Sequence, residues 1–414
     1  MSSEQRVETL VGSRDGDVNT AVAPTRRSLP FLGRMLERLQ FGSIVVETPG
    51  GHRIEHHASH PGPAGVIVLK RWRALRRMVM GGDIGFAEAY MDGDWTTPDL
   101  TALIELAARN GPTIDESIIP SWPVRLFNKV VHRWRDNTKL GSRRNIMAHY
   151  DLGNAFYALW LDPGMTYSSA LYTAEEQSLE DAQTAKQDRV LDLLDLKGNE
   201  RVLEIGCGWG GLAERLIDRG AHVTGLTLSP AQLDYARHRL AAKGGETHAD
   251  LRLQDYRDTE GKFDRIVSIE MFEAVGQRFW PIYFSKLRDR LAADGVAVLQ
   301  VITIEERRFE PYQRNVDFIQ RYIFPGGMLP SQAIMRRHIA EAGLQLLSAE
   351  TFGESYARTL AAWNTRFQAV WPAIAGMGFP DTFKRMWEYY LCYCEAGFRT
   401  GTVDVGLYRL GHAK

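Results

Sequence analysis

Short apolar runs separated by stretches of helical periodicity fill the chain after about residue 200. This alternation predicts parallel strands joined by helices, which form a doubly wound α/β sheet. The predicted strands are 201–206, 222–227, 250–254, 263–269 and 295–303, followed by an alternating end strand, 402–410. Ligands of such sheets bind at the carboxyl ends of the strands, so we expect a crevice bordered by Gly206, Thr227, Asp255 and the segment 270–273.

The pattern over residues 28–118 is different and predicts a smaller α+β N-terminal domain. This domain has a helical opening, 31–39, and short segments rich in β-branched residues, such as 42–47 and 65–69. Residues 1–27 are polar and lack the apolar core of a signal peptide, so we expect a disordered tail there.

Residues 119–144 are predicted to form a basic amphipathic linker helix. Phe127, Val130, Val131 and Trp134 fall on one helical face, and the lysines and arginines lie largely opposite. An interfacial helix on an anionic membrane has this pattern, but so does an interdomain helix that packs on protein. Both interpretations stay open, and the salt dependence of liposome binding separates them because packing on protein responds little to ionic strength.

Composition and charge limit the class of protein. A length of 414 residues favours two domains, and 44% hydrophobic with 24% charged residues is typical of a globular chain. The net charge of −1 gives no overall attraction to polyanions, so no nucleic-acid partner is expected. Cys207, Cys392 and Cys394 lack the spacing of metal ligands, which predicts no metal site and a reducing cytoplasm. The chain has no apolar run of the roughly 18 residues that a transmembrane helix needs.

Candidate chemistry begins where Glu204 and the first predicted strand lead into a glycine-rich turn. Gly206 and Gly208 allow the backbone to approach a nucleotide-like ligand closely. A dinucleotide site would require an acidic residue about 20 residues further on, but residues 225–227 are Gly-Leu-Thr, which disfavours NAD. The order of the acid, the glycines, Thr227 and Gln232 resembles that of S-adenosylmethionine (SAM)-dependent methyltransferases of the cyclopropane fatty acid synthase family.

Further motifs of this family follow in order along the C-terminal two-thirds of the chain. They are His149-Tyr150-Asp151-Leu152-Gly153-Asn154, Met165-Thr166-Tyr167-Ser168, Met271-Phe272-Glu273-Ala274-Val275-Gly276, Tyr322-Ile323-Phe324-Pro325-Gly326-Gly327 and Phe352-Gly353-Glu354-Ser355-Tyr356. The resemblance implies a Rossmann-like SAM-methyltransferase domain over 145–414, with a helical insertion over about 306–400 that binds the acyl chain. It also implies a homodimer.

The resemblance assigns the SAM contacts to residues along the crevice. The expected ligands are Tyr167 and Ser168, which close over SAM, Glu204, Gly206 and Gly208 at the glycine turn, Thr227 and Gln232 at the ribose, and Tyr256 with Arg257 at the adenine. Ordinary packing is the alternative for Tyr256, and a solvated helix position is the alternative for Gln232.

The implied reaction is attack of an unactivated lipid double bond on the sulfonium methyl group, which gives a carbocation that must lose a proton. Such a site must exclude water and offer π faces or carboxylates to the positive charge. Candidates for an aromatic wall are Phe272, Phe318, Tyr322, Phe324, Phe352 and Trp363. Core packing is the alternative for each of them.

The resemblance also implies a base, bicarbonate, bound by five residues. Glu273, Ile302 and Tyr356 match the family, whereas Ser169 stands in place of a cysteine and Gln300 in place of a histidine. Glutamine donates a hydrogen bond but does not titrate near neutral pH, which argues against bicarbonate here. These five residues are the catalytic candidates.

The sequence therefore predicts methyl transfer to an unsaturated acyl chain of a membrane phospholipid, ending in a cyclopropane. One alternative is a methyl- or methylene-branched product, including furan fatty acid precursors. A non-catalytic lipid-binding protein of the same fold is an alternative from a different class. We expect a cytoplasmic protein that associates peripherally with the inner, anionic face of the membrane.

Overall fold

The computed structural model describes residues 32–33, 35–111 and 152–413. The predicted tail (1–27), the linker helix (119–144) and motif residues 145–151 lie outside this range and stay predictions. The chain divides into two compact units. The first unit contains the described residues up to 111 together with 315–323 and 371–402, and the second contains 152–314, 324–370 and 403–413.

The secondary structure is given in chain order. The described strands are β1 (Phe41–Glu47), β2 (Arg53–His57), β3 (His60–Leu69), β4 (Trp95–Thr96), β5 (Arg201–Ile205), β6 (His222–Thr227), β7 (Ala249–Leu253), β8 (Phe263–Ile269), β9 (Leu291–Ile304), β10 (Leu344–Thr351) and β11 (Val403–His412). The described α-helices are α1 (Arg73–Met91), α2 (Leu100–Arg109), α3 (Asn154–Ala158), α4 (Leu179–Leu194), α5 (Gly211–Asp218), α6 (Pro230–Ala242), α7 (Trp280–Arg290), α8 (Glu306–Arg314), α9 (Gln332–Glu341), α10 (Gly353–Gly376) and α11 (Asp381–Arg399).

The first unit contains a four-stranded sheet in the order β2-β1-β3-β4. Strand β1 pairs antiparallel with β2 and parallel with β3, and β3 pairs antiparallel with β4. Helix α2 begins at a cap in which the Asp99 side chain accepts a hydrogen bond from the backbone N–H of Ala102. This mixture of strands and helices is the smaller α+β domain that the sequence predicted.

Helix α11 also belongs to the first unit. Tyr389 of α11 lies 5.8 Å from Tyr90 and 4.7 Å from Phe318, measured between ring centroids. The hydroxyl of Thr101 on α2 donates a 3.1 Å hydrogen bond to Glu395. The segment 306–400 was predicted to be one insertion of the second domain. It is instead divided between the two compact units, because the aromatic face of α11 packs on α1 and α2.

The second unit is built on a seven-stranded sheet in the order β10-β11-β9-β8-β5-β6-β7. The strands from β5 to β9 are parallel, and β11 is antiparallel to β9 and β10. The predicted strands agree with the observed ones within two residues, except that β9 begins earlier. The prediction of helices alone between 306 and 400 is wrong for β10, because a half-exposed edge strand lacks a continuous apolar run.

Both faces of the large sheet are covered by apolar clusters. Leu203 and Ile205 of β5 face one cluster, and Val202 faces the other, because successive side chains of a strand point to opposite faces. The strand order reverses at β5, between β6 and β8, which opens a crevice at the carboxyl ends of these strands. Among the described residues, no helix is long and apolar enough to cross a membrane.

Candidate active site

The glycine turn follows β5 at the reversal point of the sheet. Gly206 has φ +88°, and its N–H donates a 2.9 Å hydrogen bond to the carbonyl oxygen of Leu226 on β6. Gly208 has φ +52°, and a Cβ added there would meet no described atom within 4 Å, so this position faces open space. The turn thus has the positive φ values that favour glycine and room for a ligand beside its backbone.

Glu204 provides a buried carboxyl group just before this turn. Its side chain is 3% exposed, and its Oε2 atom has no hydrogen-bond partner in the described part of the protein. Burial raises the pKa of Glu204 to about 8, although the nearby Lys186 lowers it. A buried carboxyl with an unused acceptor suits a cationic ligand group, such as the ammonium of SAM.

A predicted motif residue holds the glycine turn in place. The indole N–H of Trp209 donates a 2.8 Å hydrogen bond to Oδ1 of Asn154, and the Asn154 amide donates to the carbonyl oxygen of Ala231 at 3.1 Å. Asn154 therefore ties the turn after β5 to the start of α6. This explains why Asn154 and the glycines can serve one site although they are distant in sequence.

Thr227 and Gln232 lie together at the end of β6. The Thr227 hydroxyl donates a 3.0 Å hydrogen bond to Oε1 of Gln232, and both residues are buried. Ser229 caps α6 by accepting from the N–H of Gln232. Because Gln232 uses its oxygen within this pair, its NH2 group is the part that can donate to a ribose. Gln232 is therefore not a solvated helix position.

Tyr256 and Arg257 make mainly intramolecular contacts. The Tyr256 ring meets Tyr283 edge to face, with 5.4 Å between centroids. Arg257 donates to both carboxylate oxygens of Asp255, at 2.8 and 2.6 Å, and lies 5.1 Å from the ring of Phe279. The guanidinium edge is thus used by Asp255, so any contact of this pair with adenine must use a ring face or backbone atoms.

Tyr167 and Ser168 lie between an aromatic cluster and a buried lysine. The Tyr167 ring is 5.3 Å from Trp363 and 5.8 Å from Trp160, measured between centroids. The Ser168 hydroxyl accepts a 2.8 Å hydrogen bond from Nζ of Lys186, which is 2% exposed. Burial lowers the pKa of Lys186 to about 8 even though Glu270, Asp162 and Glu204 raise it.

Three of the five catalytic candidates converge on a carboxylate that was predicted to border the crevice but not to belong to the catalytic set. Oε1 of Glu270 accepts hydrogen bonds from the N–H of Ser169 at 2.8 Å and from Nε2 of Gln300 at 2.7 Å. Its Oε2 accepts from the Tyr356 hydroxyl at 2.6 Å. Ser169, Gln300 and Tyr356, expected to bind bicarbonate, therefore contact a side chain of the protein itself.

The other two candidates contact each other beside this group. Oε1 of Glu273 accepts a 2.6 Å hydrogen bond from the N–H of Ile302, while its Oε2 is buried with no partner among the described residues. Burial, together with the charge of Glu270, raises the pKa of Glu273 to about 8. The end of β8 thus carries two carboxyl groups with different partners.

Most of the proposed aromatic wall serves other purposes. Phe272 is 1% exposed and packs on Trp280 in a core cluster of the second unit. Phe318 and Tyr322 belong to the first unit, where Tyr322 donates a hydrogen bond to Glu88. Trp363 is the member that contacts a predicted site residue, Tyr167. Packing rather than catalysis explains Phe272, Phe318 and Tyr322.

Glu270 and Lys186 were not among the site residues predicted from the sequence. Glu270 directly precedes the motif that contains Glu273, and its φ of 48° is rare for a residue with a side chain. Lys186 lies on α4, and lysine is seldom buried, so a helical pattern alone would place it on the surface. A polar residue immediately after a buried strand was the available signal for Glu270.

Comparisons with known proteins identify the family of the chain. A family model described as mycolic acid cyclopropane synthetase matches residues 137–407. Tuberculostearic acid methyltransferase UfaA1 of Mycobacterium tuberculosis is 39% identical over 358 residues, which cover 84% of this chain and 83% of that protein. Cyclopropane-fatty-acyl-phospholipid synthase of Escherichia coli K12 is 35% identical over 356 residues, covering 82% of this chain and 86% of that protein.

A solved structure supports the cofactor. Mycolic acid cyclopropane synthase CmaA1, complexed with SAH and CTAB, matches with a TM-score of 0.61 and 32% identity, covering 65% of this chain and 97% of that chain. The free acceptor of Glu204 and the open space at Gly208 fit SAM as the cofactor. The chain therefore belongs to the mycolic acid cyclopropane synthetase family and is a SAM-dependent C-methyltransferase.

Proposed function

We propose that this enzyme methylates the double bond of an unsaturated fatty acyl chain in a membrane phospholipid. The observation that carries the proposal is that the buried carboxyl of Glu204, near the end of β5, and the hydrogen-bonded carboxylate of Glu270, directly after β8, lie on neighbouring parallel strands. A candidate site for the SAM ammonium and a candidate site for proton removal therefore lie side by side at the carboxyl ends of the sheet. Methylation of an alkene requires both, because the alkene becomes a cation that must lose a proton.

The chain's own residues account for each requirement of this reaction. When bound, SAM supplies a sulfonium methyl group that an alkene can attack. Glu204, Gly206 and Gly208 would hold the methionine part of SAM, and Thr227 with Gln232 would hold its ribose. The ring of Tyr167, which packs on the buried Trp363, offers a π face to a positive charge and helps to exclude water, which would otherwise trap the cation.

The product depends on which proton leaves. Loss of a proton from the new methyl group closes a cyclopropane ring, the outcome predicted from the sequence. A methyl- or methylene-branched chain, including a furan fatty acid precursor, is the second candidate. It is supported by the relative from M. tuberculosis, whose name describes a methyltransferase of tuberculostearic acid.

The proposed substrate resides in a membrane, so we infer peripheral association of a cytoplasmic enzyme with an anionic bilayer surface. Val79 and Met80 on α1 are 38% and 52% exposed, although large apolar side chains are usually covered. The exposed Arg76 lies one helical turn away. Adjacent apolar and basic side chains support binding to anionic lipid. The homodimer inferred from the family resemblance remains part of this proposal.

One assay tests the function directly. Purified protein, methyl-labelled SAM and liposomes of a monounsaturated phospholipid should give labelled acyl chains, whereas liposomes of a saturated phospholipid should not. Mass spectrometry before and after catalytic hydrogenation then identifies the product, because a branched alkene is reduced under conditions that leave the ring intact. Transfer of the label to a polar oxygen or nitrogen acceptor, with unsaturated lipids left unlabelled, would contradict the proposal.

A further inference from the structure

We infer that Glu270 is the catalytic base that removes the proton from the methylated substrate, so that the reaction needs no external anion. This inference rests on the proposed function and deepens it by naming the proton acceptor. It predicts an enzyme that works at full rate without bicarbonate.

The hydrogen bonds of Glu270 fix its carboxylate but leave it able to accept a proton. Oε1 takes two donors, from Ser169 and Gln300, and Oε2 takes one, from Tyr356. Each carboxylate oxygen has two lone-pair directions, so Oε2 keeps one acceptor position. A free anion bound by the same three donors would have to displace Glu270 from all of them.

The backbone at Glu270 indicates that its position is functional. Its φ of 48° lies in the left-handed region, which is strained for a residue with a side chain. Its N–H nevertheless donates a 2.9 Å hydrogen bond to the carbonyl oxygen of Gln300 on β9. Glycine would adopt this conformation without strain, so the fold itself does not require a glutamate here.

The electrostatics distinguish Glu270 from its neighbour Glu273. The pKa of Glu273 is raised to about 8, so this carboxyl is largely protonated near pH 7 in the ligand-free protein. Burial also raises the pKa of Glu270, but hydrogen bonds from Tyr356, Ser169 and Gln300 and the charge of Lys186 oppose the rise. Two nearby carboxyls whose environments separate their pKa values commonly divide acid and base roles. Three hydrogen bonds to its oxygens favour the charged form of Glu270, whereas Glu273 accepts one, so the geometry assigns the base to Glu270.

The step balances in atoms and electrons. The alkene π pair forms the new C–C bond to the methyl carbon, the methyl–sulfur bond breaks with its electrons remaining on sulfur, and the neighbouring substrate carbon becomes a cation. A C–H bond of this cation then breaks, and its electron pair forms either the ring bond or a new double bond. The proton goes to Oε2 of Glu270, so no oxidant or further reactant is needed.

The first test compares three forms of the full-length protein with labelled SAM and monounsaturated liposomes in buffer freed of carbon dioxide. Wild type should keep its rate without bicarbonate, and Glu270→Gln should lose about 10²–10⁴-fold in turnover while keeping its affinity for SAH. Glu260→Gln, which changes an exposed carboxylate of the same unit, should be unaffected. A wild-type rate that falls without bicarbonate and returns when it is added overturns the inference.

The second test uses Glu270→Gly, because glycine adopts the positive φ of this position without strain, and thermal unfolding checks that the variant is folded. Removing the side chain exposes the donors of Ser169, Gln300 and Tyr356 to solution anions. Formate or bicarbonate should restore part of the activity of this variant and leave wild type unchanged. Retention of full activity by Glu270→Gly without any added anion would overturn the assignment.

A binding measurement separates failure of this inference from failure of the proposed function. In 13C NMR experiments, labelled bicarbonate should bind Glu270→Gly and should not bind wild type at this site. This result does not depend on which substrate the enzyme methylates. If wild type binds bicarbonate as tightly as the variant, Glu270 does not occupy the anion position and the inference fails. If wild type leaves unsaturated lipids unlabelled, the proposed function fails while the binding result still decides whether Glu270 occupies the anion position.

Discussion

The Tyr356 hydroxyl donates a 2.6 Å hydrogen bond to Oε2 of Glu270, although the two residues are 86 positions apart in the chain. The bond joins α10 to the residue that follows β8. Helix α10 lies between β10 and β11 in the chain and reaches the centre of the sheet only through tertiary packing. The tyrosine thus controls both the orientation and the basicity of the carboxylate.

Replacing Tyr356 by phenylalanine should shift the pH dependence of the reaction. The hydrogen bond lowers the pKa of Glu270, so its removal raises that pKa further. A base must be deprotonated, so the acid limb of the kcat–pH profile should move to higher pH. Loss of a hydrogen bond to a charged group, worth about 1.5–3 kcal/mol, should lower kcat roughly 10- to 100-fold near neutral pH. A fall in kcat with an unmoved acid limb would indicate only a structural role.

Replacing Glu204 by glutamine should weaken SAM binding about 10- to 100-fold, because a hydrogen-bonded charge contact is lost. The raised pKa of about 8 means that Glu204 is largely protonated in the ligand-free protein at pH 7. A bound cation favours the carboxylate, so SAM binding to wild type should release a proton and tighten as pH rises towards 8. Calorimetry in buffers of different ionisation enthalpy measures this release, and Glu204→Gln should lack it. Equal proton release by both proteins would contradict the assignment.

A double variant that combines Val79→Asp and Met80→Asp tests the proposed membrane contact of the first unit. Charging two exposed apolar side chains should lower partitioning onto anionic vesicles about tenfold or more, because their burial in the interface is lost. Turnover on phospholipid dispersed in detergent should change little. Leu347→Asp, at another exposed apolar position, is the matched control. Equal loss of vesicle binding in both variants would contradict the proposal that α1 contacts the membrane.

Most of the parallel strands were predictable because they are short apolar runs followed by turn residues, as Val202 to Gly206 illustrates. The arrangement of the candidate site was only partly predictable. Ser169, Gln300 and Tyr356 were identified by resemblance, but their shared partner was not, because hydrogen bonds between distant segments leave no local pattern. The burial of Lys186 likewise depends on which elements surround α4. The placement of α11 with the first unit follows from aromatic contacts that sequence order does not reveal.

Two glycines of α1 provide a stability test within the first unit. Non-helical dihedral angles at Gly82 kink this helix and bring Gly85 against the backbone of Arg77. A Cβ at Gly85 would collide with the Arg77 carbonyl oxygen, so Gly85→Ala should cost about 1–3 kcal/mol of unfolding free energy or more. Gly81→Ala should be neutral or stabilising by up to about 1 kcal/mol, because a Cβ there meets nothing within 4 Å. Denaturant unfolding measures both, and equal effects would argue against the kink.

Replacing Lys186 by methionine should raise stability and impair cofactor binding at the same time. The pKa of Lys186 falls from 10.5 to about 8 in the folded protein, which corresponds to about 3 kcal/mol of unfavourable burial of its charge at neutral pH. Because the unfolded chain binds the proton more tightly, this group makes the stability of wild type increase as pH rises from about 8 to about 10.5, and Lys186→Met should lack this slope.

The same substitution removes the positive charge that lowers the pKa of Glu204 and Glu270. Both carboxyls should then be protonated to a greater extent near pH 7, so SAM affinity and turnover should fall. Because the carboxyls are then neutral and the buried lysine charge is gone, the unfolding free energy should rise by about 1–3 kcal/mol. Lys197→Met, at an exposed position of the same unit, should change neither quantity measurably. If Lys186→Met loses stability together with activity, the lysine serves mainly to hold the fold through Ser168, and a specific role in tuning the two carboxyls is contradicted.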